Sequence, residues 1–156
     1  KIKLLELMAS SSYAMAEGQS IDLSVVSKKV DLNILNKMYQ KKTGALLYCS
    51  IKFGALLNHA SEADLSVFEF FANHIGLAYQ IQDDVLDVTT SDKVLGKRQN
   101  SDAIKNKPSY PSIIGLDESI KTFENLYQSA LNELSYLSVD SAPLRSLTKR
   151  LMNRAF

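Results

Sequence analysis

Apolar residues in this chain recur at helical spacing almost from end to end, and this pattern narrows the fold more than any other feature. Leu65, Phe68, Ala72, Ile75 and Tyr79 follow i, i+3, i+4 steps along one helix face. Leu32, Leu35, Met38 and Tyr39, then Leu46 and Leu47, follow Asp31, a residue type suited to cap a helix start. No segment sustains the period-2 alternation of a half-buried strand. The spacing predicts an all-α fold, as one domain or part of one.

Punctuation supplies the expected boundaries. Good helix formers run from Lys1 to about Glu17, where Gly18 is expected to close the first helix and "SIDLS" to form its end and turn. Gly54 and "NHASEAD" mark the far end of the second helix, and Ser61 or Glu62 opens the third. After Val88 the pattern gives way to "TTSDKVLGKRQNSDAIKNKPSYP", polar, Lys-rich and broken by Gly96, Pro108 and Pro111. Periodicity returns near Ile113 and lasts to about Leu137. Pro143 stands near the start of a last helix.

Composition removes several classes of function. A formal net charge of +1 over 156 residues gives no support to bulk capture of nucleic acid or an anionic membrane. Cys49 is the single cysteine, so there is no intrachain disulfide framework, and a reducing cytoplasm is the expected compartment. No apolar run reaches the roughly 20 residues of a membrane span. The chain starts at Lys1, and "KIKLLELM" reads as a helix interior, so a longer parent protein is expected.

Three aspartates interrupt one of the apolar helices. In "LAYQIQDDVLDV", Asp83, Asp84 and Asp87 fall within an arc of about 100°, with Gln80 one turn earlier; Gly76, just before the stretch, continues the line with no side chain to obstruct an approaching ligand. Like charges at this spacing repel and are costly to desolvate. Either the face is solvated, or hard divalent cations hold it together through oxygen ligands. The lysines and arginine that follow, Lys93, Lys97, Arg98, Lys105 and Lys107, suit a phosphate-bearing ligand shared with such cations. "KKTGALL" is a second anomaly. Gly44 inside a helix costs up to about 1 kcal/mol against Ala, which points to a close helix contact, while Lys42 and Thr43 beside it are able to donate to a phosphate oxygen.

"GQSIDL", "KTGALL", "YQIQDDVLDV", "LGKRQNSD" and "NKPSYPSIIGL", in this order, resemble the C-terminal half of trans-isoprenyl diphosphate synthases, most closely the bacterial farnesyl diphosphate synthases. The likeness covers essentially the entire chain, 1–156, as the C-terminal part of one synthase domain. It implies an isoprenoid-synthase-type helical bundle. It also implies Mg²⁺-dependent condensation of an allylic diphosphate (dimethylallyl or geranyl) with isopentenyl diphosphate to farnesyl diphosphate or a similar short-chain product. Mn²⁺ is the alternative ion, and the family's full-length members are homodimers.

By position, the resemblance makes Asp83, Asp84 and Asp87 the second aspartate-rich motif, ligands of Mg²⁺ bridging to the allylic diphosphate. Gln80 matches the glutamine on that face. Lys42 and Thr43 match the pair flanking the allylic chain and its leaving group, and Lys97 a further lysine on the diphosphate. Gln19 and Asp22 match the polar pair of the GQxxD block, and Lys107 a lysine associated with closure. Arg154 loosely matches a basic residue of the C-terminal tail. Tyr79, Ile81 and Phe53 are candidates for pocket walls, though ordinary core packing accounts for each more simply.

The chain departs from the pattern in lacking the first aspartate-rich motif, the arginine pair after it and the helices that carry them. Three other readings stand beside the synthase: a non-catalytic partner subunit, an interaction domain with a solvent- or calcium-facing acidic stripe, and a terpene cyclase. The intact second aspartate motif argues against the first, and the paired "KTG" and "LGK" blocks favour chain elongation over the other two.

Overall fold

The computed structural model describes residues 1–94 and 107–154, with the side chains of 90–94 excepted. Among the described residues there is no strand, as the periodicity predicts. The elements are α1 (Ile2–Ser24), α2 (Leu32–Tyr39), a π-helical turn (Gln40–Gly44), α3 (Ala45–Leu57), α4 (Glu62–Val94), α5 (Tyr110–Ile114), α6 (Leu116–Glu133), a 3₁₀ turn (Leu134–Tyr136) and α7 (Ala142–Met152). The architecture is all-α.

Helix α4 is the axis of the bundle. Its Phe71, Ile75, Ala78, Ile81 and Val85 are all but completely buried, and α6 covers them with Phe123, Tyr127 and Ala130. Leu35, Met38 and Tyr39 of α2 close the same core from the other side. Ile81 therefore packs in the core. The stripe read from the sequence divides: Ala72 and Ile75 are buried, whereas Phe68 and Ile75 border an apolar groove of about 660 Å³ between α3, α4 and α7.

Four expected boundaries are corrected. Gly18 does not end α1, which runs through "SIDLS" to Ser24; the break comes at Ser27, in the left-handed region at φ 60°. Gly18 is there for packing. A Cβ on it would stand 2.3 Å from the Lys42 amide nitrogen, so α1 touches the π turn backbone to backbone. Gly54 lies inside α3, which ends three residues later, before His59 at φ 55°. Helix α4 continues six residues past Val88, to Val94. The single helix expected from Ile113 to Leu137 is two, because Gly115 at φ 87° lets the chain turn between α5 and α6.

Other expectations hold. The Asp31 side chain accepts the Ile34 amide at 2.9 Å and caps α2. Ser61 accepts the Asp64 amide at the start of α4. Asp64 in turn accepts the Ser138 amide at 2.8 Å and its hydroxyl at 2.6 Å, fastening the turn before α7 to the start of α4. Pro143 sits in the first turn of α7. None of the described helices is long and apolar enough to cross a membrane.

Candidate active site

The "KKTG" residues form a π-helical turn, one extra residue in what is otherwise a continuous helix from α2 to α3. Such bulges re-aim side chains and recur at functional sites. Two glycines make this one possible. Gly18 admits the turn against α1, and Gly76 admits it against α4, where a Cβ would meet the Gly44 Cα at 3.2 Å. Gly44 thus has the close-contact role its position suggests. Gly76, read as leaving room for an approaching ligand, leaves room for Gly44 instead.

Lys42 leaves this turn and donates to Asp22 Oδ2 at 2.6 Å. Lys107, far along the chain, donates to the same carboxylate at 3.0 and 3.1 Å. Asp22 is only 4% exposed. Burial pushes its pKa up, but the hydrogen bonds from Lys42 and Lys107 outweigh this, and the carboxyl is held below its ordinary value. One buried anion therefore fixes two cations whose side chains remain a third to nearly half exposed. Lys41 pairs with Glu17 alongside.

The three aspartates on α4 have three different environments. Asp84 Oδ2 accepts the Tyr39 hydroxyl at 2.5 Å and the Tyr110 amide at 2.8 Å. Burial pushes its pKa up to about 6; those donors oppose the shift, and the charges of Asp87 and Asp83 add to it. Asp83 accepts Arg154 Nη2 at 2.8 Å. Its pKa is raised by burial, with Arg154 opposing and Asp87 reinforcing. Asp87 is exposed. No group of three or more acid, histidine or cysteine side chains converges on one point among the described residues.

Tyr39 joins the two clusters. It lies within electrostatic range of both Asp84 and Asp22, and burial together with these charges drives its pKa far up, so the hydroxyl stays a donor. It stacks on Tyr110 with ring centroids 6.2 Å apart, and Tyr110 also donates to Asn36. Sequence reasoning placed Tyr39 only on an apolar stripe and missed Tyr110 and Asn36. The available signal was Tyr39 standing three residues before Lys42. Gln82 was missed as well: it accepts Tyr127 Oη at 2.8 Å and donates to the Met152 carbonyl at 3.2 Å, tying α4 to α6 and to the end of α7.

The remaining candidates are dispersed. Thr43 and Gln80 are half-buried on the π turn and on α4, and Gln19 is exposed on α1. Tyr79 lies beneath the Arg154 guanidinium, 4.0 Å from ring centroid to carbon. Lys97, Arg98 and Lys105 lie outside the described residues, as does the side chain of Lys93.

An all-α frame with a lysine-bearing turn facing an aspartate-bearing helix defines a class, and the comparisons agree. The chain belongs to the polyprenyl synthetase family, whose model matches residues 1–137. It is 35% identical to the farnesyl diphosphate synthase of Escherichia coli (strain K12) over 99% of this chain and 54% of that protein. It is 39% identical to a geranylgeranyl diphosphate synthase of Cyanophora paradoxa over 98% of this chain and 52% of that protein. Among solved structures, an FPP/GFPP synthase from Zymomonas mobilis superposes with a TM-score of 0.80 at 27% identity, covering 96% of this chain and 50% of the other. A decaprenyl diphosphate synthase from Rhodobacter capsulatus, at 19% identity, shares the fold with a TM-score of 0.86, covering 100% of this chain and 61% of the other. The chain spans about half the length of the curated relatives it matches.

Proposed function

We propose that residues 1–156 form part of a single synthase domain that condenses an allylic diphosphate (dimethylallyl or geranyl) with isopentenyl diphosphate, giving farnesyl diphosphate or a similar short-chain product. The observation that supports this most directly is the placement of Lys42 and Lys107 on one buried carboxylate, that of Asp22.

The residues suit that chemistry. Lys42 and Lys107 present cationic donors whose positions are set before any ligand arrives, which favours charge developing on a leaving diphosphate. Thr43, beside Lys42 on the same turn, is the neighbouring hydroxyl donor, and Gln80 offers an amide one turn from Asp83. Gln19, and Lys97 outside the described residues, complete the proposed diphosphate-binding set. As the allylic C–O bond breaks, the isopentenyl double bond attacks the resulting cation. The proton then lost from the condensed product goes to the released diphosphate in preference to Thr43 or Gln80.

Asp87, which is exposed, and Asp83, whose Oδ1 is paired with Arg154, are the carboxylates for Mg²⁺, or Mn²⁺ in its place. Burial is the main cause of the raised Asp83 pKa and the charge of Asp87 adds to it, and a cation bound by both would offset that repulsion. Asp84 commits Oδ2 to Tyr39 and Tyr110 and has Oδ1 to offer. A carboxylate pair completed by water and substrate phosphate is the customary Mg²⁺ setting. Bound there, the ion supplies Lewis-acid stabilisation of the departing diphosphate.

Calorimetric titration with inorganic pyrophosphate and Mg²⁺ tests the binding half of this reading. Saturable binding that needs both and is lost in Asp83→Ala is expected; binding unchanged by Asp83→Ala would overturn the metal site. Incubation of the longest product of the gene that carries this chain with geranyl and isopentenyl diphosphates, followed by chromatography, tests the reaction. Asp83→Ala should lower turnover by orders of magnitude without loss of helicity.

A further inference from the structure

Two side chains hold the end of α7 and the residues after it to α4: Gln82, which donates to the Met152 carbonyl, and Arg154. Arg154 Nη2 reaches Asp83 Oδ1 at 2.8 Å and Gln82 Oε1 at 3.1 Å, and its guanidinium lies over the Tyr79 ring. The adjoining backbone is held lightly: the Asn153 and Arg154 amides reach Lys149 and Leu151 carbonyls at 3.1 and 3.2 Å. The strap is also imperfect. Arg154 Nε is buried yet finds no partner among the described residues. An unsatisfied buried donor is unfavourable, and it offsets part of what the ion pair contributes.

We propose that Arg154 is the resident counter-ion of Asp83, exchanged when a divalent cation takes that carboxylate, so that cation binding releases the Asn153–Arg154 segment after α7 from α4. The proposal rests on reading Asp83 as a cation ligand. Its physical basis is competition. A hard cation needs the carboxylate oxygen at about 2.0–2.1 Å, and a guanidinium at hydrogen-bond distance from that oxygen opposes it sterically and by charge. Exchange is feasible because the two side chains are 27% and 38% exposed, and pairs this open to water are weak. Linkage makes the effect reciprocal: whatever the tail costs the cation, the cation costs the tail.

Hydrogen exchange on the unaltered protein reads the tail directly. Saturating Mg²⁺ should speed exchange at the Asn153 and Arg154 amides several-fold, and Asp83→Asn should abolish that response. Calorimetry with Mg²⁺ alone reads the other side of the linkage, and Arg154→Gln should bind about two- to fivefold tighter than wild type. Tail exchange that does not change at saturating Mg²⁺, or an Arg154→Gln affinity equal to or weaker than wild type, would overturn the strap while leaving the metal site standing. Absence of saturable Mg²⁺ binding in every form would overturn both.

Discussion

Gly18 of α1 lies against the peptide of Lys42, so closely that a Cβ would fall 2.3 Å from the Lys42 nitrogen and 2.7 Å from its Cα. The turn that carries the candidate catalytic lysine is therefore seated on bare backbone. Gly18→Ala should destabilise the protein by about 1–3 kcal/mol or more, because neither backbone is able to yield as a flexible side chain would. Gly54→Ala is the natural control. Gly54 is also inside a helix, and a Cβ there meets nothing within 4 Å. Its replacement should stabilise by about 0.5–1 kcal/mol. Urea melts of both variants check the pair, and equal effects would contradict the seating role.

Asp22→Asn leaves Lys42 and Lys107 without their shared anion. Breaking a largely buried pair is costly, here moderated by the exposed lysine ends, and a loss of about 1–3 kcal/mol is expected at neutral pH. The pH dependence has a definite sign. The folded-state pKa is depressed, so the contribution is complete above the ordinary aspartate value and fades as pH falls through the lower folded value. The stability difference between wild type and Asp22→Asn should accordingly shrink in melts carried to progressively lower pH below about 4.

Asp84 behaves oppositely. Its folded pKa of about 6 lies above the ordinary aspartate value of 3.8, so the folded protein binds more protons than the unfolded one between those values. Stability should fall as pH rises across that window, in the absence of divalent cations. Asp84→Asn keeps an oxygen able to accept from Tyr39 and Tyr110, and it should flatten this slope. A wild-type curve that rises from pH 4 to 6 at that site would contradict the assignment.

Tyr39→Phe removes the hydroxyl that donates to Asp84 at 2.5 Å and leaves the ring in the core. Loss of one donor to a half-buried carboxylate should cost about 1–3 kcal/mol. The Asp84 titration, followed by NMR of its carboxyl carbon, should shift further up, since that hydrogen bond opposes the rise. A downward shift would show that Tyr39 does not serve as the donor.

Much of this protein is legible in the order of its residues. The i, i+3, i+4 stripes specify helices because each turn of a helix returns to one face, and Asp31, Ser61 and Pro143 announce helix starts because unpaired amides there need a partner or none at all. "KTG" and "DDVLD" single out Lys42 and the aspartates because lysine beside a mid-helix glycine, and three like charges on one face, are costly without a use. Tertiary structure decided the rest. Gly18 reads as a helix stop until the Lys42 peptide is seen against it, and Gly76 reads as open space until Gly44 fills it. The three aspartates are equivalent along the sequence, yet one is hydrogen-bonded by Tyr39 and Tyr110, one pairs with Arg154 and one faces water. Periodicity is a local property that one strand of residues carries by itself, whereas a side chain's dielectric surroundings and partners come from residues twenty to eighty-five positions away, which only the packed bundle brings together.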